Sequence, residues 1–415
     1  MTVRFSAADR MSATFAALRY PNFRRWFIGQ ALSLGGTWMQ SVAQGWLVYQ
    51  MTGSTLALGT ITAAGTIPTL FFMLPAGAIA DRVSKRRMLM VTQVVMMISA
   101  LVLAALTWLK VLQVWQIAAL AVVSGIAQSF DAPARLALTP QLVDNRDDLQ
   151  NAVAMGSMMF NLARVVGPAI GGLVLASMGA AWCFAINGLS FLAVLIALAG
   201  MNMPNDVGRP RSDRRMAAEI GEGLRYVWHQ PLVRTLVVLI GVTSIFGFSY
   251  SVLLPAYATD VLKVDAKGYG LLNAAVGIGA LAGSLTVASL SRWKNKGRQL
   301  TAGSLAFPVA LLCFAATGNF PLAAICLAGA GLAFVIQNAT ANTMVQLLAP
   351  DELRGRVMSV YTIFFFGTTP VGALFAGAVA QRWSSTAAIV AGASVTLAFA
   401  LFLIFCGPAV RKAQL

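Results

Sequence analysis

The chain has 415 residues, 58% of them hydrophobic and only 11% charged, with a formal net charge of +16. Soluble domains carry about 25% charged residues, so the composition excludes an ordinary soluble protein and points to lipid. In a soluble chain the basic excess would suggest nucleic acid; here the placement of the charges makes it a topology signal, and no nucleic-acid partner is expected.

Apolar stretches of about 20 residues, enough to cross a bilayer once, recur throughout. They predict twelve transmembrane helices, at 27–50, 57–80, 88–109, 113–134, 151–176, 181–201, 233–257, 268–291, 300–318, 320–346, 357–381 and 385–407. A lone strand in lipid would leave its backbone unpaired, so helices are the available spanning form. The fold class expected is an all-α membrane protein made of two six-helix pseudo-repeats. A cytoplasmic tail (1–26) leads into an N-terminal bundle (27–201). A linker (202–232) separates this from a C-terminal bundle (233–407), which ends in a second tail (408–415). The start of the chain carries Arg4, Arg10, Arg19, Arg24 and Arg25 and no short apolar core of the signal-peptide kind.

Basic residues set the orientation. With the N-terminus inside, 25 of the 30 Lys and Arg residues fall on cytoplasmic segments. Only Lys110, Lys263, Lys267 and Arg382 fall outside, and Arg164 alone lies within a span. Both termini are therefore expected in the cytoplasm, in a bacterial inner membrane, with anionic lipid as a contact of the basic loops. In the linker, Met216, Ile220, Leu224 and Val227 share a helical face, which predicts an amphipathic helix on the membrane surface.

The halves repeat weakly. At an offset of 211, Gly59 maps to Gly270, Lys85 to Lys296 and Arg87 to Arg298; at 204, the run Asp147-Asp148-Leu149 maps to Asp351-Glu352-Leu353. A parallel repeat of two six-span halves suits a rocking transporter.

Polar residues inside spans are costly, so their facing carries information. In span 1, Gln30, Ser33, Thr37, Gln40 and Gln44 follow steps of three and four and share one face, with Leu34, Trp38 and Trp46 on the other. Span 4 carries Ser124, Gln128, Asp131 and Arg135; span 5 Ser157, Asn161 and Arg164; span 7 Ser244 and Ser251; span 10 Gln337, Asn338, Asn342 and Gln346. Such residues can simply bond neighbouring helices, but whole stripes predict a water-filled substrate cavity. Arg164, with no acid at similar depth, is either a functional cation or one locked to backbone carbonyls and Asn161. A cation there suits a substrate with an anionic or hydroxyl-rich part.

Other chemistries lack their residues. Cys183, Cys313, Cys326 and Cys406 lie in apolar stretches, and His229 is the only histidine. Neither a His/Cys metal site nor a Ser-His-Asp site is expected, and no cofactor is implied. No lysine precedes Ser or Thr, so a Walker A loop is absent and a gradient is the expected energy source. A membrane-embedded enzyme would need a nucleophile–base pair that the spans do not offer.

The loop after span 2 reads Gly77-Ala-Ile-Ala-Asp81-Arg82-Val-Ser-Lys85-Arg86-Arg87. Together with the twelve spans and the central split, it resembles the major facilitator superfamily and its motif A. The resemblance implies gating roles: Asp81 capping the inner start of span 11, and Lys85 pairing with Asp131 beside Arg135. More narrowly, Phe130-Asp131-Ala-Pro133-Ala-Arg135, Asn161-Leu-Ala-Arg164-Val-Val-Gly167-Pro168, Gly171-Gly172 and Gly36-Thr-Trp38-Met-Gln40 resemble the branch of enterobactin-exporter-like and Tap-like multidrug efflux proteins. Gly167, Pro168, Gly171 and Gly172 are similar to the antiporter motif C, whose physical sense is a kinked, closely packed helix. The pattern departs from drug/proton antiporters in two places. Span 1 has no acid, and the motif B arginine is Ala121 if Gly125 is that motif's glycine. Asp81 and Asp131 are then the remaining inner-side acids for proton coupling. The resemblance implies a monomeric, proton-coupled exporter of amphipathic organic molecules, such as drugs or siderophores, working by alternating access. An importer, a lysolipid flippase or a transport-dead sensor could share the fold.

Overall fold

The computed structural model describes residues 16–201, 216–290, 293 and 295–406, without the side chains of Leu74, Ala78, Asp81, Arg146, Asp147 and residues 216–220 and 404–406. Expectations for residues 1–15 and 408–415 of the tails, for the basic run 209–215 and for Arg292 and Lys294 lie outside these residues; the rest of the predicted first tail forms a short helix at Ala16–Arg19 and the start of the first long helix at Pro21. Helices occupy the predicted segments. The first six are α1 (Pro21–Thr52), α2 (Thr55–Arg82), α3 (Lys85–Trp108), α4 (Val114–Leu138), α5 (Arg146–Met178) and α6 (Ala180–Ala199). The linker forms α7 (Met216–His229). Then come α8 (Pro231–Val242) and α9 (Tyr250–Asp260), joined through a π-turn, α10 (Ala266–Ser289), α11 (Lys296–Ala315) and α12 (Phe320–Leu348). Helices α13 (Arg354–Thr362) and α14 (Thr369–Arg382) are joined through a second π-turn, and α15 (Ser385–Cys406) closes the bundle.

Among the described residues, eleven helical stretches are long and apolar enough to cross a membrane, with α8–α9 and α13–α14 each counting as one. Helix α1 is not among them despite its 32 residues. Its length spans about 48 Å at 1.5 Å per residue; the polar stripe from Gln30 to Gln44 lowers its hydropathy. Helix ends follow local chemistry. Ser54 accepts from the Ala57 N–H at 3.2 Å, Asp265 from Gly268 at 2.9 Å and Asn319 from Leu322 at 3.1 Å, each satisfying an orphan donor of a first turn. Gly53 ends α1 in the left-handed region, which costs glycine no Cβ clash.

Within the first half, α1 packs on α5 and α6, α2 on α4, and α3 on α4 and α6. In the second half, α12 packs on α10 and α11, and α15 on α11 and α14. Two seams join the halves, α5 with α10 and α2 with α14. Both are backbone-to-backbone. A Cβ on Gly172 would lie 2.7 Å from the Gly270 Cα, and one on Gly59 would lie 2.4 Å from the Ala373 carbonyl oxygen. The repeat-equivalent Gly59 and Gly270 thus stand at equivalent places, one in each seam. The Thr55 hydroxyl donates to the Gly377 carbonyl at 3.1 Å, and Ser54 to Gln381 at 2.9 Å. Tyr49 of α1 donates its hydroxyl hydrogen to the Asp260 carboxylate of α9, and the Trp46 ring stacks on Tyr269 at 5.5 Å. All these contacts lie at the end away from the basic loops.

At the basic end the named contacts stay within one half. Arg86 donates to the Ala199 carbonyl at 2.9 Å, and Arg25 to that of Gly200 at 2.5 Å. The Tyr20 hydroxyl donates to Asp148 at 2.9 Å, and that bond holds the neutral phenol, raising its pKa. Helix α7 is fastened to the second half: Tyr226 donates to the Leu348 carbonyl at 3.1 Å, and Glu222 pairs with Arg356. Of the linker's predicted apolar face, Val227 is buried in the second-half core, Leu224 is 43% exposed, and the side chains of Met216 and Ile220 lie outside the description.

Replacing Gly172 by leucine forces α5 off α10, an overpacking that costs about 1–3 kcal/mol. The far end then opens more often. Cysteines placed at 49 and 260, in a background without the four native cysteines, crosslink with Gly172 present. The yield is expected to fall toward background with Gly172→Leu, and an unchanged yield would show that the glycine seam does not hold the far end shut.

Candidate functional site

The polar stripe of α1 is shared between helix–helix bonding and the interior. Gln30 and Ser33 are buried, and Thr37, Gln40 and Gln44 partly so. Gln40 accepts from the Asn187 side-chain amide of α6 at 2.7 Å, so this member bonds a neighbouring helix. Thr37 bonds back to the Ser33 carbonyl at 2.9 Å. The Gln30 amide nitrogen is buried without a partner. On α4, Ser124 is partly buried and Gln128 exposed. On α5, Asn161 donates to the Ser157 carbonyl at 2.9 Å. On α9, Ser251 bonds the Phe248 carbonyl at 3.0 Å. On α12, Asn342 accepts from Gln346 at 2.6 Å, and the Asn338 amide nitrogen is buried and unpartnered.

Beside Asn338, the polar atoms of the α11–α12 interface are short of partners. Both amide atoms of Gln299, the hydroxyls of Ser304 and Thr340 and the carbonyl oxygen of Gln337 are buried without a hydrogen bond. Each such group costs about 1–3 kcal/mol relative to a satisfied one. The Gln337 nitrogen does find Thr243 at 2.8 Å.

Thr243 belongs to the first π-turn, Thr243–Gly247, and the second, Ile363–Gly367, faces it. A π-turn inserts one residue and disrupts the regular backbone ladder. The Ser244 hydroxyl donates to the Phe365 carbonyl at 2.6 Å, tying one π-turn to the other. A Cβ on Gly372 of α14 would lie 2.6 Å from the Ile245 carbonyl oxygen, so α14 packs backbone to backbone on the first π-turn.

Arg164 stands where α5 meets α1, α9 and α10. Its guanidinium carbon lies 5.7 Å from the centroid of the Trp38 ring, which Phe160 braces edge-on at 5.9 Å. A Cβ on Gly277 would lie 2.7 Å from the Arg164 carbonyl oxygen, which brings α10 against this point. Among the described residues no carboxylate pairs with Arg164. From Tyr250 an aromatic wall runs through the second half. Phe248 is 6.3 Å from Tyr250 and stacks on Phe334 at 5.1 Å, and Phe334 lies 6.3 Å from Phe365.

The motif A segment sits at the basic end. Gly77 lies in α2, Arg82 is exposed, and Lys85 is buried as the first residue of α3 behind the Ser84 cap. Asp131 of α4 is buried and takes three donors: Thr92 at 3.1 Å, Gln93 at 2.8 Å and Arg135 at 3.3 Å. The expected cap by Asp81 falls on a side chain outside the description. In the motif C segment, a Cβ on Gly167 would meet the Gly35 carbonyl oxygen at 2.7 Å, and one on Gly171 the Met39 Cα at 3.0 Å. These glycines, with Pro168 inside the helix, bring α5 against α1, and Gly172 brings it against α10.

Sequence reasoning missed the aromatic wall and the partner of Arg164. Trp38 falls on the face of α1 away from the polar stripe, yet its ring lies 5.7 Å from the guanidinium of another helix. Phe248, Phe334 and Phe365 look like ordinary lipid-facing residues in a hydrophobic sequence. The Tyr49–Asp260 contact had a signal, because the two residues are separated by the repeat offset of 211.

A family profile described as transmembrane secretion effector matches residues 12–414. The multidrug efflux pump Tap of Mycolicibacterium fortuitum is 30% identical over 359 residues, 85% of this chain and 87% of that protein. The enterobactin exporter EntS of Escherichia coli O1:K1 / APEC is 26% identical over 369 residues, 89% and 87% of the two chains. Among solved structures, a bacterial homolog of the lysosomal transporter Spinster, inward-facing and unoccupied, superposes with a TM-score of 0.72 at 14% identity, covering 95% of this chain and 96% of that one. A POT family transporter in complex with 5-aminolevulinic acid gives 0.77 at 11% identity, covering 94% and 96%. These structural likenesses concern the fold alone.

The Ser244–Phe365 bond is testable by itself. Ser244→Ala removes one donor from the Phe365 carbonyl, which keeps the Thr369 hydroxyl at 3.3 Å, a loss of about 0.5–1.5 kcal/mol, and Ser244→Thr restores the donor. The alanine variant is expected to unfold at a lower temperature in detergent than wild type, with threonine between them. Equal melting of all three would show that the bond between the π-turns contributes nothing.

Proposed function

The chain belongs to the transmembrane secretion effector family of the major facilitator superfamily, and on that premise we propose that it is a proton-coupled exporter of amphipathic organic molecules working by alternating access. The observation that carries export is the similarity, over more than four-fifths of the chain, to a multidrug efflux pump and to an enterobactin exporter. In this proposal α1 is the twelfth span. In the same proposal the protein is a monomer in the inner membrane; the 25 basic residues assigned to one side support placing both termini in the cytoplasm.

The geometry supports a mechanism of two rocking halves. The far-end seams are glycine contacts supplemented by single hydrogen bonds such as Thr55–Gly377, so they can part without leaving a buried charge unpaired. With the basic end cytoplasmic, the seams close the outer side and substrate enters from the cytoplasm. The substrate site proposed lies between the halves, at Arg164 and the inward-facing members of the polar stripes: Gln30, Ser33 and Thr37 of α1, Ser124 and Gln128 of α4, and Asn338 of α12. Asp131 holds α3 and α4 together through its three donors, which suits an inner-side gating post. Protonation would remove its charge and weaken all three contacts at once, and this makes it the favoured carrier of proton coupling. No enzymatic step is proposed.

The test is accumulation of a neutral amphiphilic fluorescent dye in efflux-deficient bacteria expressing the protein. Accumulation is expected to fall against an empty-vector control and to recover on adding a protonophore. Unchanged accumulation, with membrane expression confirmed, would remove the broad-range pump and leave a narrow substrate or import. Asp131→Asn is expected to reduce efflux severely while leaving the protein in the membrane; wild-type efflux in that variant would clear Asp131 of a coupling role.

A further inference from the structure

We infer that the central site selects aromatic amphiphiles bearing a negative charge, with the N–H edge of Arg164 as counter-charge and the Phe248–Phe334–Phe365 wall as the surface for the ring. The inference concerns the same site as the export proposal and rests on it for the direction of movement, but not for binding.

The cost of the arginine starts the argument. A cation within a membrane-spanning helix is expensive unless it is paired or bonded. Arg164 lies near the middle of the 33-residue helix α5, and among the described residues it has neither a carboxylate nor a hydrogen-bond acceptor. Other arginines of this protein show what a structural role looks like. Arg25, Arg86 and Arg354 each donate to a backbone carbonyl, of Gly200, Ala199 and Gln346. Arg164 instead lays its guanidinium near the Trp38 ring at 5.7 Å. That contact stabilises the cation's face and leaves its donor edge for something else. A guanidinium offers five N–H donors in a fixed fork, which a carboxylate matches with two parallel bonds.

The second element is position. Gly277 of the second half packs on the Arg164 backbone, and Tyr250 of that half is the first ring of the aromatic wall. Phe248 and Phe334 stack at 5.1 Å with 29° between their planes, and Phe365 and Phe366 meet edge-on at 4.6 Å. Phe334 and Tyr250 are buried, but Phe248 and Phe365 are partly exposed, so the wall is not sealed within the core. A planar ring can lie on these rings with its acid group at the guanidinium. An aromatic cation of the same shape would meet Arg164 as a like charge, and a neutral one would leave the fork unpaired; both lose affinity relative to the anion. Export of an anion is also favoured by a membrane potential that is negative inside.

The experiment uses the purified full-length protein in detergent and three probes sharing one ring system: 2-naphthoate, 2-naphthamide and 2-naphthylmethylammonium. Tritiated naphthoate is bound and displaced by each. Naphthoate is expected to compete about tenfold or more better than the amide, the size of one charge-assisted bond, and the ammonium worst. Arg164→Gln is expected to erase the difference between acid and amide, with an unchanged melting temperature in detergent reporting an intact fold; Arg164→Lys is expected to keep part of the difference. Equal competition by the three probes on wild type overturns the inference without recourse to any variant, as does an acid preference that survives Arg164→Gln or an absence of naphthoate binding. Acid-selective binding with no naphthoate efflux from loaded cells would remove the export reading and leave this one standing. Dye efflux with no charge preference in binding would do the reverse.

Discussion

Gly172 against Gly270, and Gly59 against Ala373 and Gly377, are the contacts on which the relation between the two halves depends. In lipid no hydrophobic force drives helices together, because the tails are as apolar as the side chains. What remains is van der Waals contact at short range, and backbone-to-backbone approach gives the most of it per residue. A single methyl group on Gly59, Gly172, Gly270 or Gly377 would separate the helices. The same contacts are weak enough in sum to be remade, since none of them buries a charge. A pair of rigid bundles joined at small residues is therefore at once a defined structure and a machine with a hinge.

The polar residues divide by what they meet. Gln40, Ser244 and Gln337 spend their hydrogen-bonding capacity on other helices, with Asn187, Phe365 and Thr243 as partners. Gln299, Ser304 and Thr340 are buried with no partner at all. A stripe of polar residues on one helix thus has no single meaning. Its members stand at different depths and face different neighbours, and each is decided by what the neighbouring helix presents. Arg164 is the extreme case, a charge whose close partner among the described residues is the Trp38 ring.

The paired π-turns add a mechanical element to the second half. They interrupt α8–α9 and α13–α14 at matching levels and are tied through Ser244. A regular helix transmits motion along its axis, whereas a π-turn is a place where the ladder is already disrupted and register can change at lower cost. Both lie beside the aromatic wall, so a shift in either would move the surface on which a substrate ring would rest. Helix α7, fastened to α13 through Arg356 and Glu222, ties the linker to the same unit.

Much of the fold was legible because lipid imposes it. The helical segments followed from runs of apolar residues, since an unpaired backbone cannot cross a bilayer, and the repeat was visible in Gly59 and Gly270 and in Lys85 and Lys296. Motif A and the segment from Gly167 to Gly172 carried the family. Helix α1 shows the limit of hydropathy, because the polar residues that make it interesting are those that make it read least like a span. The sequence by itself determined that the chain is a helical membrane transporter of two related halves with one isolated cation at depth. It could not determine what that cation faces. Trp38 and Arg164 are 126 positions apart, and their meeting depends on the rotation of α1 and α5 about their axes. That rotation is set by packing at glycines on other faces of the same helices, a property of the assembled bundle that no local pattern encodes.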